Sequence, residues 1–158
     1  MSIAARTGRF TYFDGSTELE GFLAVPTEPS KAARPVVLVI HAWAGQDDFA
    51  RANAPGLRAA VAFHGLFNPP NIGPQPSIKS KVLALHGYDD PMCDPQAMRG
   101  FADEMTAAHA DWQLVAYGST GHAFTNPQAH DHANGMFYRE IIAARAFAAM
   151  RGLFAEAL

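Results

Sequence analysis

An aspartate and a histidine, each placed just after a predicted strand, could together perform acid–base chemistry. Asp90 lies in the segment His86-Gly87-Tyr88-Asp89-Asp90-Pro91, and His122 lies in Gly121-His122-Ala123-Phe124. A carboxylate beside an imidazole fixes the tautomer of the ring and stabilises its cationic form, so the ring can take and return a proton. A carboxylate and a histidine so placed can form the orienting half of a hydrolytic triad. The alternative for Asp89 and Asp90 is an ordinary turn, where Asp-Pro pairs are common.

The other reactive side chains give weaker signals. Cys93 is the only cysteine, so an internal disulfide is excluded and a reducing cytoplasm is expected. It follows Asp90 in the same loop rather than standing on a strand-to-helix turn, and we interpret it as structural rather than nucleophilic. The cluster His130-Asp131-His132 lacks the spacing of a standard zinc site and is better explained as a polar loop. We expect neither a metal nor a cofactor.

The elements that must position these residues begin with a predicted β-hairpin. Two strand-like runs, 10–13 and 19–25, flank the turn-forming sequence Asp14-Gly15-Ser16-Thr17. Four apolar runs without alternation then follow, as expected for strands buried on both faces in a parallel sheet. They are 35–41, 59–65, 81–87 and 112–117. Functional groups gather beyond the carboxyl ends of such strands, which is where the acid and the base are found. His41, His64 and His86 also end strands, and we interpret them as structural, with minor roles left open.

Two helices are predicted to cover this sheet. Asp94 can cap a helix that has Pro95 at its first position. One face of that helix is apolar and comprises Met98, Phe101, Met105 and Ala108. A final helix is predicted from about Met136 to the C-terminus. Its expected core stripe comprises Ala143, Phe147, Met150, Phe154 and Leu158.

Length and composition limit the classes of protein that the chain can represent. It has 158 residues, of which 49% are hydrophobic and 17% charged, and its net charge is -3. These values favour a single globular domain spanning residues 1–158. Without a basic stripe, nucleic acid is not an expected partner. The apolar runs are too short to span a membrane and no signal peptide is evident, so a cytoplasmic location is expected.

Four segments taken in order resemble the dienelactone hydrolase family of α/β-hydrolases. Besides the acid and histidine segments, they are His41-Ala42-Trp43-Ala44-Gly45 and Phe63-His64-Gly65-Leu66-Phe67. The resemblance extends over nearly the whole chain. It implies an α/β fold, a three-layer sandwich with a mostly parallel sheet and an N-terminal β-hairpin. It also implies that Asp90 is the acid, that His122 is the base, and that the backbone N–H of Trp43 is one donor of the oxyanion hole.

The family's nucleophile elbow, G-x-S-x-G or G-x-C-x-G, is absent from the sequence. Gly118-Ser119-Thr120-Gly121 has the wrong spacing and lies between the acid and the base. By resemblance, the central strands that carry the elbow are missing near Asn53-Ala54-Pro55. We expect one of three outcomes. The strands re-pair into a smaller sheet, a second copy of the chain completes the sheet as a homo-oligomer, or the sequence omits residues that the protein contains.

Two further departures from the family bear on the substrate. Ala42 stands where these enzymes have a glutamate near the nucleophile, and Asn126 stands where they have an arginine that holds a substrate carboxylate. A neutral or differently charged small ester or lactone is therefore expected rather than a dienelactone. The resemblance predicts a hydrolase that acts by acyl transfer. The alternative is a catalytically inactive remnant of the fold that serves as a binding or oligomerisation module.

Overall fold

The computed structural model of the protein describes residues 5–14, 16–27, 57–68 and 77–158. The chain divides into two compact units, Met1–Leu38 and Val39–Leu158. The predicted strand 35–41 and the region around Asn53 to Pro55 lie outside the described residues. The single domain 1–158 and the three alternatives for that region therefore stay predictions.

The first unit contains the predicted hairpin. Strand β1 (Ala5–Asp14) pairs with β2 (Thr17–Pro26) in antiparallel register, and Asp14 lies opposite Thr17. The hairpin prediction is confirmed, but β1 begins five residues before the expected Phe10. Residues 6–9 are polar or glycine and are exposed, so they carry no apolar alternation that would have marked a strand.

The second unit contains a parallel sheet with the order β3-β4-β5 among the described strands. These are β3 (Ala59–Phe63), β4 (Lys81–Gly87) and β5 (Asp111–Tyr117). Strand β4 is almost wholly buried, whereas the side chains of β3 are only partly buried. The strand prediction is confirmed for all three. Of the three, only β4 shows the burial on both faces that its sequence predicts.

Two helices and a short hairpin complete this unit among the described residues. Helix α1 (Pro95–Ala107) connects β4 to β5, and its predicted start is confirmed, because the Asp94 carboxylate accepts the backbone N–H of Ala97 at 2.7 Å. Strands β6 (His130–Asp131) and β7 (Met136–Phe137) form the short hairpin, and α2 (Glu140–Ala157) follows. Neither of these helices is long and apolar enough to cross a membrane.

The side chains of β4 alternate between two hydrophobic cores, one on each face of the sheet. Val82 and Ala84 pack on the side of α1, with Phe101, Met105 and Ala108. Leu83 and Leu85 pack on the side of α2, with Ile142, Ala146 and Leu153. The sheet therefore lies between two helices, and the predicted α/β sandwich with a mostly parallel sheet is confirmed.

The predicted final helix is wrong in its start and partly wrong in its buried face. It begins at Glu140 rather than Met136, because Met136 pairs with Asp131 and bridges to His122. Phe147 and Leu158, which were expected in the core, are 38% and 41% exposed. The buried face is rotated from the predicted stripe and comprises Ile142, Ala143, Ala146, Leu153 and Ala157.

Candidate active site

Asp90 lies in the loop of residues 88–94, here called the acid loop, which joins β4 to α1. Its backbone N–H donates to the Gly87 carbonyl at 3.1 Å, and its own carbonyl accepts the N–H of Cys93 at 3.2 Å. Its Oδ1 accepts the backbone N–H of Met92 at 2.9 Å. These bonds within one tight turn fix the direction of the carboxylate, whose side chain is 0% exposed.

His122 lies in the loop of residues 118–129, here called the histidine loop, which joins β5 to β6. Its backbone N–H donates to the carbonyl of Gly135 at 2.8 Å, and its carbonyl accepts the N–H of Phe137 at 3.2 Å. Both main-chain groups of the residue are therefore held by the β6–β7 hairpin. The side chain is 19% exposed, so the imidazole can meet solvent or a small molecule.

The two side chains meet as the sequence predicts. Asp90 Oδ2 lies 2.8 Å from His122 Nδ1. Burial alone would raise the pKa of Asp90, but hydrogen bonds from His122 and Met92 outweigh it, and the pKa is lowered. An ionised carboxylate can only accept a hydrogen bond, so Nδ1 of His122 carries a proton, and in the neutral ring Nε2 keeps a lone pair. This tautomer is the one that a general base requires.

Three glycines bring the loops around this pair into backbone contact. A Cβ at Gly87 would collide with the carbonyl oxygens of Thr120 and Gly121, and a Cβ at Gly121 would collide with the Gly135 carbonyl. Gly135 has a φ of 68°, and a Cβ there would lie 2.8 Å from the ring of Pro91. The acid and the base are thus positioned by close main-chain packing that a larger residue would push apart.

Two more histidines lie at the same edge of the sheet. His64 follows β3, and its ring contacts that of His122 edge to face at a centroid distance of 5.0 Å. His86 is the penultimate residue of β4, is fully buried, and has neither ring nitrogen hydrogen-bonded within the described part of the chain. Burial is the main cause that lowers the pKa of both, to about 4 for His64. Both rings are therefore neutral at physiological pH.

Cys93 lies within the described residues, whereas Trp43 does not. The Cys93 thiol is buried, its Sγ lies 4.0 Å from the Asp94 carbonyl oxygen, and burial raises its pKa. A buried thiol with a raised pKa is a poor nucleophile, and the structural role of Cys93 stays a prediction. Trp43, the expected oxyanion donor, lies outside the described residues, as does Ala42.

Asn126 and the cluster His130-Asp131-His132 make local contacts. The Asn126 side chain is exposed, and its Oδ1 accepts the backbone N–H of Gln128 at 3.0 Å. Asp131 accepts both the backbone and side-chain N–H groups of Asn134, while the ring of His132 stacks on Phe137 at 4.6 Å. Across residues 5–14, 16–27, 57–68 and 77–158, no three His, Cys, Asp or Glu side chains are grouped so that they could hold a metal ion.

Sequence reasoning missed two residues that contact the site. The Thr125 hydroxyl lies 3.0 Å from His64 Nε2, which links the end of β3 to the histidine loop. Gly135 accepts the N–H of His122 through its carbonyl. The dipeptide Asn134-Gly135 could have signalled a tight turn, whereas nothing local in the sequence marks Thr125.

A parallel sheet between two helices, with an acid and a histidine on successive strand-end loops, defines a protein of the α/β-hydrolase type. The model of the dienelactone hydrolase family matches residues 48–158. The chain belongs to this family, as its motifs predict.

Known relatives match this chain over about half of their own length. A solved dienelactone hydrolase-like promiscuous phosphotriesterase from metagenomic libraries is 37% identical, with a TM-score of 0.61 over 70% of this chain and 46% of its own. A solved putative dienelactone hydrolase of Klebsiella pneumoniae is 26% identical, with a TM-score of 0.53 over 66% of this chain and 45% of its own. An uncharacterized protein of Caenorhabditis elegans is 29% identical over 83 residues, or 52% of each chain. The chain thus spans about half the length of these relatives.

Proposed function

We propose that this chain is a hydrolase that cleaves a small, uncharged carboxylic ester or lactone by acyl transfer. His122 is the general base, and Asp90 orients its ring. The observation that carries the proposal is the 2.8 Å contact between Asp90 Oδ2 and His122 Nδ1, made by a carboxylate with no exposed surface. Membership of a family of hydrolases supports the same reaction class.

The reaction starts at Nε2 of His122. Because the sequence has no nucleophile elbow, we assign the attacking oxygen to water. As the water oxygen bonds to the acyl carbon, its proton passes to Nε2 and the imidazolium is stabilised by Asp90. The bond from the acyl carbon to the leaving oxygen then breaks, and the imidazolium returns the proton to that oxygen. The products are an acid and an alcohol, or a hydroxy acid from a lactone.

The substrate class rests on the residue types near the base. Asn126 is uncharged and its Oδ1 caps a turn, so it offers no cation that would reward a substrate carboxylate. By family resemblance, the backbone N–H of Trp43 stabilises the oxyanion. A neutral ester requires no such cation.

A colorimetric assay with two substrates that share the p-nitrophenol leaving group tests the proposal. We expect the protein to hydrolyse p-nitrophenyl acetate, and His122→Ala to lower kcat/KM by about 100-fold or more. Diethyl p-nitrophenyl phosphate is the comparison substrate, because one solved relative is described as a promiscuous phosphotriesterase. We expect the carboxylic ester to react faster.

The control is His109→Asn, because exposed imidazoles react slowly with activated esters by themselves. His109 is exposed in the turn after α1 and has a φ of 54°, which asparagine tolerates. This variant should keep the wild-type rate. A wild-type rate no higher than that of His122→Ala would overturn the proposal and favour the binding-module alternative. Intact mass spectrometry during turnover should show no acylated protein, and an acyl adduct would contradict the assignment of water.

A further inference from the structure

His64 makes two contacts that converge on the histidine loop. Its Nε2 lies 3.0 Å from the Thr125 hydroxyl, and its ring meets the His122 ring at 5.0 Å and an angle of 65°. Its backbone has a φ of 41°, and its N–H donates to the Leu85 carbonyl at 2.8 Å. The residue is therefore fixed to the sheet on one side and to the turn after His122 on the other.

The His122 ring needs such a contact. Its bond to Asp90 restrains only Nδ1, and the torsion that turns an imidazole about its Cβ–Cγ bond is broad and roughly two-fold. A ring turned by 180° would break the bond between Nδ1 and Asp90 and place Cε1, a carbon, where Nε2 would meet a substrate. A second side chain packed against the ring restricts that motion.

We propose that His64 is a positioning residue: held by Thr125, its ring packs against the His122 imidazole and keeps Nε2 of His122 directed at the substrate. This inference rests on the proposed function, because it assigns a role in presenting the same base. It also makes Thr125, three residues after His122, part of the support for the site.

The charge state of His64 suits this role. Burial, then the neighbouring His122 and, least, His86 lower its pKa to about 4, whereas Asp90 and a backbone hydrogen bond raise it. A neutral ring beside the base introduces no positive charge that would oppose the imidazolium formed during turnover. These three groups, on the histidine loop, the acid loop and β4, are the titratable groups that act on His64.

The test uses Thr125→Val, which replaces the hydroxyl by a methyl group of similar size, with Thr125→Ser as the matched control that keeps the hydroxyl. The first readout is the pair of ¹⁵N chemical shifts of the His122 ring. Wild type and Thr125→Ser should show a single tautomer protonated at Nδ1, and Thr125→Val should show a mixture. The second readout is ester hydrolysis, where Thr125→Val should lower kcat about tenfold and leave KM nearly unchanged. The melting temperatures should be similar.

His64→Asn is a second variant in case Thr125→Val folds poorly. Asparagine tolerates the left-handed backbone but is too short to keep the ring contact. It should produce the same mixture of His122 tautomers. A single tautomer in both variants would overturn the inference, as would a mixture in wild type. A hydrolysis rate that does not depend on His122 would instead overturn the proposed function, while the ¹⁵N shifts would still decide the role of His64.

Discussion

In the N-terminal hairpin most described side chains face solvent, including Phe13 at 66% exposure and the ion pair between Arg9 and Glu20. At the carboxyl end of β4 the environment is the reverse: Asp90 is buried and glycine backbones touch without side chains between them. Both regions are built from strands and turns. The difference teaches that the candidate acid and base lie where main-chain packing leaves little freedom, whereas an exposed hairpin is expected to tolerate change.

The largest effect is expected from a single methyl group added where the loops around Asp90 and His122 are in backbone contact, a region here called the packed edge. Gly121→Ala would place Cβ against the Gly135 carbonyl, so the β6–β7 hairpin must move away from His122. We expect a loss of about 3 kcal/mol in the free energy of unfolding, measured by urea denaturation. Gly118→Ala is the control, because a Cβ there meets nothing within 4 Å. Equal stability of the two variants would show that the loops are not tightly packed.

Acid should weaken the packed edge through its neutral histidines. The pKa of His64 is about 4 in the folded protein, against 6.5 in an exposed histidine, and that of His86 is also lowered. As pH falls from 6.5 towards 4, the unfolded chain binds protons that the folded chain does not, so the free energy of unfolding decreases. His64 alone contributes no more than about 3.5 kcal/mol over this window.

Urea unfolding at pH 7 and pH 5 measures this effect. Wild type should be less stable at pH 5, and His64→Asn should show a smaller difference between the two pH values. His109→Asn, which removes an exposed histidine, should show the wild-type difference. If His64→Asn retains the full difference, His64 does not remain neutral in the folded protein.

The smallest change in the free energy of unfolding is expected for a substitution in the N-terminal hairpin. Arg9→Ala removes an ion pair of 2.5 Å whose side chains are 73% and 59% exposed. Exposed pairs contribute little, so the free energy of unfolding should change by less than about 0.5 kcal/mol, with ester hydrolysis unchanged. Arg6→Ala, at another exposed position of β1, is the matched control. If Arg9→Ala lowered the free energy of unfolding as much as Gly121→Ala, the contrast between the hairpin and the packed edge would be wrong.

Local signals made much of the fold predictable. Asp94 followed by Pro95 located the start of α1, and unbroken apolar runs located β3, β4 and β5. The start of α2 was missed because Met136 pairs with Asp131 in a short β-hairpin. Helical periodicity does not reveal this contact.

The candidate site was predictable only in part. The acid and histidine motifs identified Asp90 and His122 because each motif lies within a few residues at a strand end. The contact of His64 with Thr125 joins residues 61 positions apart, and its geometry depends on the parallel pairing of β3 with β4. Such contacts follow from the assembled sheet, and no spacing along the chain encodes them.

The most direct test of the central claim, that Asp90 and His122 act as one base, is a double-mutant cycle on p-nitrophenyl acetate hydrolysis. Asp90→Asn and His122→Ala should each lower kcat/KM by about two orders of magnitude, and the double variant should be no slower than His122→Ala alone. A double variant that loses the product of the two single effects would contradict the claim, as would single variants that retain the wild-type rate.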